Sequence, residues 1–215
     1  MNLLFATANL HKVEEAQHIL GKEFTLLTPA HFGYIEDIPE KGKTLEDNAL
    51  QKARTIWNVL GKDCFADDTG LEVFALNGAP GVYSARYANH RSGLQANHAV
   101  DMYANIEKLL KELAPHPNRN AQFRCVIALI LDGSEYLFEG TVQGCILAEK
   151  EGAHGFGYDP LFLPHGYTQT FATMPPHQKN TISHRALALQ QLKNFLDPQS
   201  PQLPVLNSQL PTINH

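Results

Sequence analysis

The chain has 215 residues, with 43% apolar and 18% charged side chains, so it is rich enough in apolar residues for a packed core and too rich for a disordered segment. Lys and Arg number 17 against 22 Asp and Glu, and this acidic excess excludes a protein that coats nucleic acid or an anionic membrane through a broad basic face. No apolar run approaches the ~18–20 residues that cross a bilayer, and M-N-L-L-F-A-T-A-N lacks the basic start of a secretory signal. The first element, Leu3 to Ala6, reads as a short buried strand. A polar turn, T-A-N-L-H-K at 7–12, leads into a helix whose face is Val13, Ala16, Ile19 and Leu20, with Gly21 as its stop. Strand, turn and helix in that order predict an α/β fold. Phe24 to Leu27 is a second strand candidate, and residues 29–42 read as a loop.

The clearest helix follows. Thr44 is its N-cap, Asp47 stands three residues on, and Leu45, Ala49, Ala53, Ile56 and Leu60 recur at helical spacing before Gly61. Cys64 to Ala66 is a buried strand that is expected to end at Asp67 and Asp68. The G-A-P-G turn at 78–81 leads to Y-S-A-R-Y. A helix over 94–113 carries Val100, Tyr103, Ile106, Leu110 and Leu113 on one stripe. Strands over 123–131 and 136–147 are joined by Asp132–Gly133, a hairpin turn that makes the sheet mixed. A glycine-rich loop fills 152–160, and Leu161 to Leu163 is a short strand. One last helix runs from about residue 178 or 180 to Leu196, and the Pro-, Gln- and Asn-rich tail from Asp197 reads as loosely ordered. Length suggests one domain, with two lobes at most, over 1–196. Cys64, Cys125 and Cys145 are odd in number and sit in apolar stretches, which predicts free thiols in a reducing cytoplasm.

Four segments carry chemistry. T-A-N-L-H-K lies where a strand meets a helix N-terminus, a place whose free N–H groups suit an anion. Lys12 is a cation in the first helical turn, an unfavourable position unless something negative lies close by; an ordinary N-cap with a solvated lysine is the plain alternative. In A-D-D-T-G at 66–70, adjacent strand residues point to opposite faces, so Asp67 and Asp68 take different tasks. One holds structure, and the other binds a divalent cation, for which Mg2+ suits a carboxylate, water and phosphate set; an Asx-turn is the alternative. In G-F-G-Y-D-P at 155–160, glycines leave Phe156 open for stacking on a flat ligand, or the ring belongs to the core. In K-N-T-I-S-H-R at 179–185, Lys179, His184 and Arg185 are either turned inward as donors or form a solvated basic face.

Taken in order, T-A-N-L-H-K, L-E-D-N-A-L-Q-K-A, A-D-D-T-G-L-E-V, G-A-P-G-V-Y-S-A-R-Y, G-F-G-Y-D-P and S-H-R resemble the inosine triphosphate pyrophosphatase family, the dITP/XTP or non-canonical purine nucleotide pyrophosphatases. The resemblance runs from Leu3 to about Leu196. It implies an α/β fold with an elongated mixed sheet flanked by helices, two lobes around a central cleft, and a homodimer. It implies Mg2+-dependent hydrolysis of dITP, ITP and XTP to the monophosphate and pyrophosphate, with no nucleic-acid or membrane partner. Carried over by position, Thr7, Ala8, Asn9, Leu10, His11 and Lys12 grip the phosphates. Asp68 is the catalytic residue and metal ligand, and Thr69 touches the substrate. Phe156, Gly157, Tyr158, Asp159, Lys179, His184 and Arg185 hold the nucleotide, with Phe156 against the base. Two departures stand out. Ala8 replaces a frequent glycine, and Pro39 stands where an acidic metal-holding residue is frequent, with Glu40 beside it. The alternatives are a nucleotide sensor without turnover and a pyrophosphatase for modified pyrimidine nucleotides.

Overall fold

The computed structural model describes residues 1–38, 40–89 and 98–197. Six strands, β1 (Asn2–Phe5), β2 (Thr25–Leu27), β3 (Cys64–Val73), β4 (Asn120–Leu131), β5 (Ser134–Ile146) and β6 (Phe162–Pro164), form one sheet in the order β2-β1-β3-β4-β5-β6. β1 pairs in parallel with β2 and β3, whereas β6 runs antiparallel to β5, so the sheet is mixed. Five helices accompany it: α1 (Leu10–Leu20), α2 (Leu45–Leu60), α3 (His98–Leu113), α4 (Pro176–Ile182) and α5 (His184–Leu196). Among the described residues no helix is long and apolar enough to cross a membrane.

Local chemistry sets the ends of these elements. Asn9 caps α1 by accepting the Lys12 N–H, and Thr44 caps α2 by accepting the Asp47 N–H at 3.0 Å. Gly61 ends α2 in the left-handed region, at φ 60° and ψ 34°. The β4–β5 turn puts Asp132 and Gly133 at φ 50° and 74°, the conformation that a two-residue hairpin of this twist requires. Gln17 binds α1 to the following strand: its Nε2 donates to the Gly21 and Phe24 carbonyls, and its Oε1 accepts the Leu26 N–H.

The chain divides into two compact units. The first holds Met1–Asp68, Cys125–Gly140 and the described residues from Arg185. Its core joins Leu3, Phe5 and Phe65 to Ala16 and Leu20 of α1, Ile127 and Leu129 of β4, and Leu189 and Leu192 of α5. The Phe5 and Phe65 rings stack with centroids 4.3 Å apart. The second holds Thr69–Arg124 and Thr141–His184. Its core contains Leu71, Val73, Ile106, Leu109, Leu113, Phe123, Phe162 and Phe171.

Several elements differ from the sequence expectation. β3 does not end at the aspartates but continues through Asp67, Asp68, Thr69 and Gly70 to Val73, which keeps both carboxylates on a rigid strand. α1 begins at Leu10, within the segment read as a turn, and Lys12 stands in its first turn as expected. The single last helix is two helices: Ser183, at ψ 154°, leaves helical geometry and separates α4 from α5. In α3 Ile106 and Leu113 are buried as expected, with Asn105 and Leu109 buried beside them, whereas Tyr103 is 56% exposed. Leu109 takes the place on the stripe that the pattern gave to Leu110, which is half-buried. Residues 94–97, the Val100 side chain, Pro39 and 198–215 lie outside the described residues. Cys64 and Cys125 are buried and Cys145 half-buried, and none of the three is in a disulfide.

Candidate active site

In the first unit, three basic and four acidic side chains meet around the strand β3. Asp67 is 2% exposed. Its Oδ1 accepts the Lys12 ammonium at 2.8 Å, and its Oδ2 accepts Nε and Nη2 of Arg185, each at 3.1 Å. Arg185 also donates through Nη1 to Glu15. Asp68 points to the other face of the strand. Its Oδ1 accepts the Lys52 ammonium at 3.0 Å, and its Oδ2 accepts Nδ2 of Asn48 at 3.1 Å. The same Lys52 ammonium lies 2.5 Å from Oε1 of Glu40. The adjacent aspartates thus have different partners, as strand alternation demands.

Burial and charge act against each other on these groups. Burial pushes Asp67 upward, but Lys12, Arg185 and Lys52 outweigh it and hold the carboxyl well below its usual range. Asp68 moves the other way. Burial raises it, Lys52 and Lys12 offset only part of that, and Glu40 adds repulsion, so its pKa lies above the ordinary carboxylate value. Burial also opposes the charge on Lys52, yet Asp68, Glu40 and Asp67 together keep it protonated and raise its pKa. For Arg185, burial is overcome by Glu15 and Asp67.

The T-A-N-L-H-K segment lies at the start of α1 in this same unit. Thr7 is buried, and its Oγ1 accepts the Asn9 N–H at 3.2 Å. Ala8 is exposed and its φ is not positive, so the methyl in place of a glycine is accommodated without strain. Leu10 is 70% exposed, and His11 is also exposed. The negative group that Lys12 requires is Asp67, supplied by the protein itself.

The second unit carries the remaining candidates. Asp159 is buried, and its Oδ2 accepts both the Phe156 N–H and the Lys179 ammonium, each at 2.7 Å. This turn needs Gly155: at φ +89°, a Cβ there would lie 2.3 Å from Asp159 Oδ2. Gly157 also has a positive φ, and Phe156 between the glycines remains 44% exposed. Tyr158 is buried, and its hydroxyl donates to the Ser84 carbonyl at 3.1 Å. His184 is 5% exposed, and its ring stacks on Phe123 with centroids 4.6 Å apart and planes 12° apart. Thr69 is half-buried on β3.

Sequence reasoning missed Lys52, Asn48 and Glu15. A signal for the first two was present: positions 45, 48, 49, 52, 53 and 56 form the buried face of α2, and two of them are polar. A lysine on such a face needs buried acidic partners.

Among the described residues no cluster of three or more His, Cys, Asp and Glu side chains could hold a metal by itself. Asp68 and Glu40 nevertheless converge on one cation, the Lys52 ammonium. Two hard carboxylates that converge on one point suit Mg2+, which takes one or two protein carboxylates and completes its shell with water and phosphate oxygens.

A sequence model described as "Ham1 family" matches residues 3–195. The chain is 50% identical over 196 residues to the dITP/XTP pyrophosphatase of Flavobacterium johnsoniae, an alignment covering 91% of this chain and 98% of that one. The Ham1 protein of Staphylococcus aureus superposes with a TM-score of 0.79 at 39% identity, covering 91% of this chain and 98% of the other. A HAM1 protein from Coxiella burnetii gives 0.80 at 36% identity, with the same coverage. On the match across nearly its whole described length, the chain belongs to the Ham1 family.

Proposed function

We propose that this protein hydrolyses non-canonical purine nucleoside triphosphates, dITP, ITP and XTP, to the monophosphate and pyrophosphate, with Mg2+ as cofactor. The observation that carries this reading is the Asp68–Lys52–Glu40 arrangement beside the Lys12–Asp67 pair, in a chain half identical to a dITP/XTP pyrophosphatase. Asp68 and Glu40 would hold the Mg2+. Bound there, it supplies charge stabilisation for an in-line displacement at phosphorus.

The protein's own groups supply the rest. Asp68, whose pKa burial raises, orients or deprotonates the attacking water. Lys12 and Lys52 present positive charge to the phosphates, and Thr7 to Lys12 add the N–H groups of the α1 N-terminus. Thr69 adds a hydroxyl. Phe156 stacks on the base, held outward by the Asp159–Phe156 turn, and Gly157, Tyr158, Lys179 and His184 shape the nucleoside site. Arg185 contributes as counter-charge to Asp67. A purine with a 6-oxo group accepts hydrogen bonds where adenine donates, so donors facing that position would be left unpaired by adenine, a mismatch that can reject it by ~10⁴ or more.

We assign residues 1–196 to a single catalytic domain, with the tail from residue 197 outside it, and we expect a cytoplasmic homodimer. Incubation with dITP and Mg2+ tests the activity: dIMP and pyrophosphate are expected, and inorganic phosphate with dIDP would refute it. Asp68→Asn should abolish turnover while the variant still folds. Binding of ITP without turnover would favour a sensor. Light scattering of the purified chain gives the oligomeric state.

A further inference from the structure

The loop before α2 and the strand β3 are joined by one side chain. Asn48 is completely buried, at 0% exposure. Its Oδ1 accepts the Gly42 N–H at 2.7 Å, and its Nδ2 donates to Asp68 Oδ2 at 3.1 Å. The amide orientation follows from its partners, because a backbone N–H can only donate and a carboxylate can only accept. The loop rests directly on this residue. A Cβ at Gly42 would lie 2.5 Å from Asp47 Cβ and 2.8 Å from Asn48 Oδ1. Glu40 is two residues upstream of the amide that Asn48 holds. One helical turn further on, Lys52 takes the other Asp68 oxygen and Glu40 itself. α2 therefore places a neutral donor and a cation on Asp68, one on each oxygen.

The two contacts have different consequences. Lys52 cancels charge on the carboxylates. Asn48 leaves the charge in place and fixes the carboxylate plane and the loop that brings Glu40. A ligand carboxylate whose second oxygen is hydrogen-bonded is held in orientation before the ion arrives, which is the usual task of a residue behind a metal ligand.

We infer that Asn48 is a positioning residue for the divalent cation at Asp68 and Glu40: it orients Asp68 through Nδ2 and sets the Glu40 loop through Gly42. This inference rests on the metal assignment proposed above. The test is Mn2+ binding to the full chain without nucleotide, followed by electron paramagnetic resonance, with thermal unfolding measured alongside. Asn48→Ala should weaken Mn2+ binding about tenfold or more. Gly42→Ala, which disturbs the same clamp from the loop side, should weaken it as well and decides the matter if the first variant does not fold. Thr44→Ala removes the N-cap of the same helix without touching Asp68. It should lower the unfolding midpoint and leave Mn2+ affinity unchanged. Wild-type affinity in both the Asn48 and Gly42 variants overturns the inference, as does an equal loss in Thr44→Ala, because the role is then only structural. Asp68→Asn separates the two levels. If it loses Mn2+ while Asn48→Ala does not, only the Asn48 role fails; if it binds like wild type, the metal assignment fails and this inference with it.

Discussion

Asp67 is the buried anion shared by Lys12 and Arg185, and replacing it with asparagine tests that directly. The substitution keeps the side-chain shape but removes the charge and turns an NH2 group toward Lys12 or Arg185. Three charge-assisted hydrogen bonds are affected, at 2.8, 3.1 and 3.1 Å. Removing one partner of a buried ion pair costs about 3–5 kcal/mol. Here Arg185 keeps Glu15, and Lys12 is 16% exposed, so water meets part of its charge. The lower end applies, about 3 kcal/mol, which for a chain of this size is a fall of about 6–12 °C in Tm. Urea and thermal unfolding at neutral pH measure both. Acid gives a second reading. The Asp67 pKa is depressed in the folded state, so the unfolded chain binds the proton first. The stabilisation is complete above the ordinary value of about 3.9 and is lost progressively as pH falls below it. Asp67→Asn should therefore flatten the acid limb of the stability profile. A loss under about 1 kcal/mol, or an unchanged acid limb, would refute the assignment of Asp67 as the anchoring charge.

Other expectations follow from the same geometry. Lys52→Met leaves Asp68 and Glu40 without their shared ammonium and should cost about 3–5 kcal/mol, part of it restored by millimolar Mg2+ in a thermal scan. A Mg2+ response no larger than that of the wild type would count against the two carboxylates as a cation site. The Cys64 thiol is pushed up to about 12, chiefly by burial with Asp63 adding to it, whereas an unfolded cysteine titrates near 8.5. Above that pH the unfolded chain releases a proton that the folded one retains, so stability should fall as pH rises, and Cys64→Ala should flatten the fall in urea unfolding between pH ~8.5 and ~10. Gly155→Ala forces a Cβ against Asp159 and should raise KM for ITP about tenfold, the equivalent of ~1.4 kcal/mol, with a smaller effect on kcat. An unchanged KM would separate that turn from nucleotide binding. Removing 198–215 should leave turnover unchanged, since the family match ends at residue 195.

Much of the fold was legible in local pattern. The Thr44 cap, the Gly61 stop and the Asp132–Gly133 turn are short-range features, decided by residues within one turn of each other, and all three stand where the pattern puts them. The division between Asp67 and Asp68 was legible as well, because a strand turns successive side chains to opposite faces. The break at Ser183 was not, since no proline or glycine marks it and the polar and apolar spacing runs across it. The Lys12 position signalled a nearby negative charge but could not name it; the partner lies 55 residues away, on β3. Arg185 and Asp67 are 118 residues apart, and Lys52 meets Glu40 and Asp68 only because α2 lies beside both the loop and the strand. Sequence by itself determined the element types, the caps and which residues carry charge, because these depend on neighbours along the chain. Tertiary structure alone decided which charges pair, which are desolvated, and therefore that Asp67 is driven down while Asp68 beside it is driven up. Those shifts depend on distance and burial in space, which chain order does not encode.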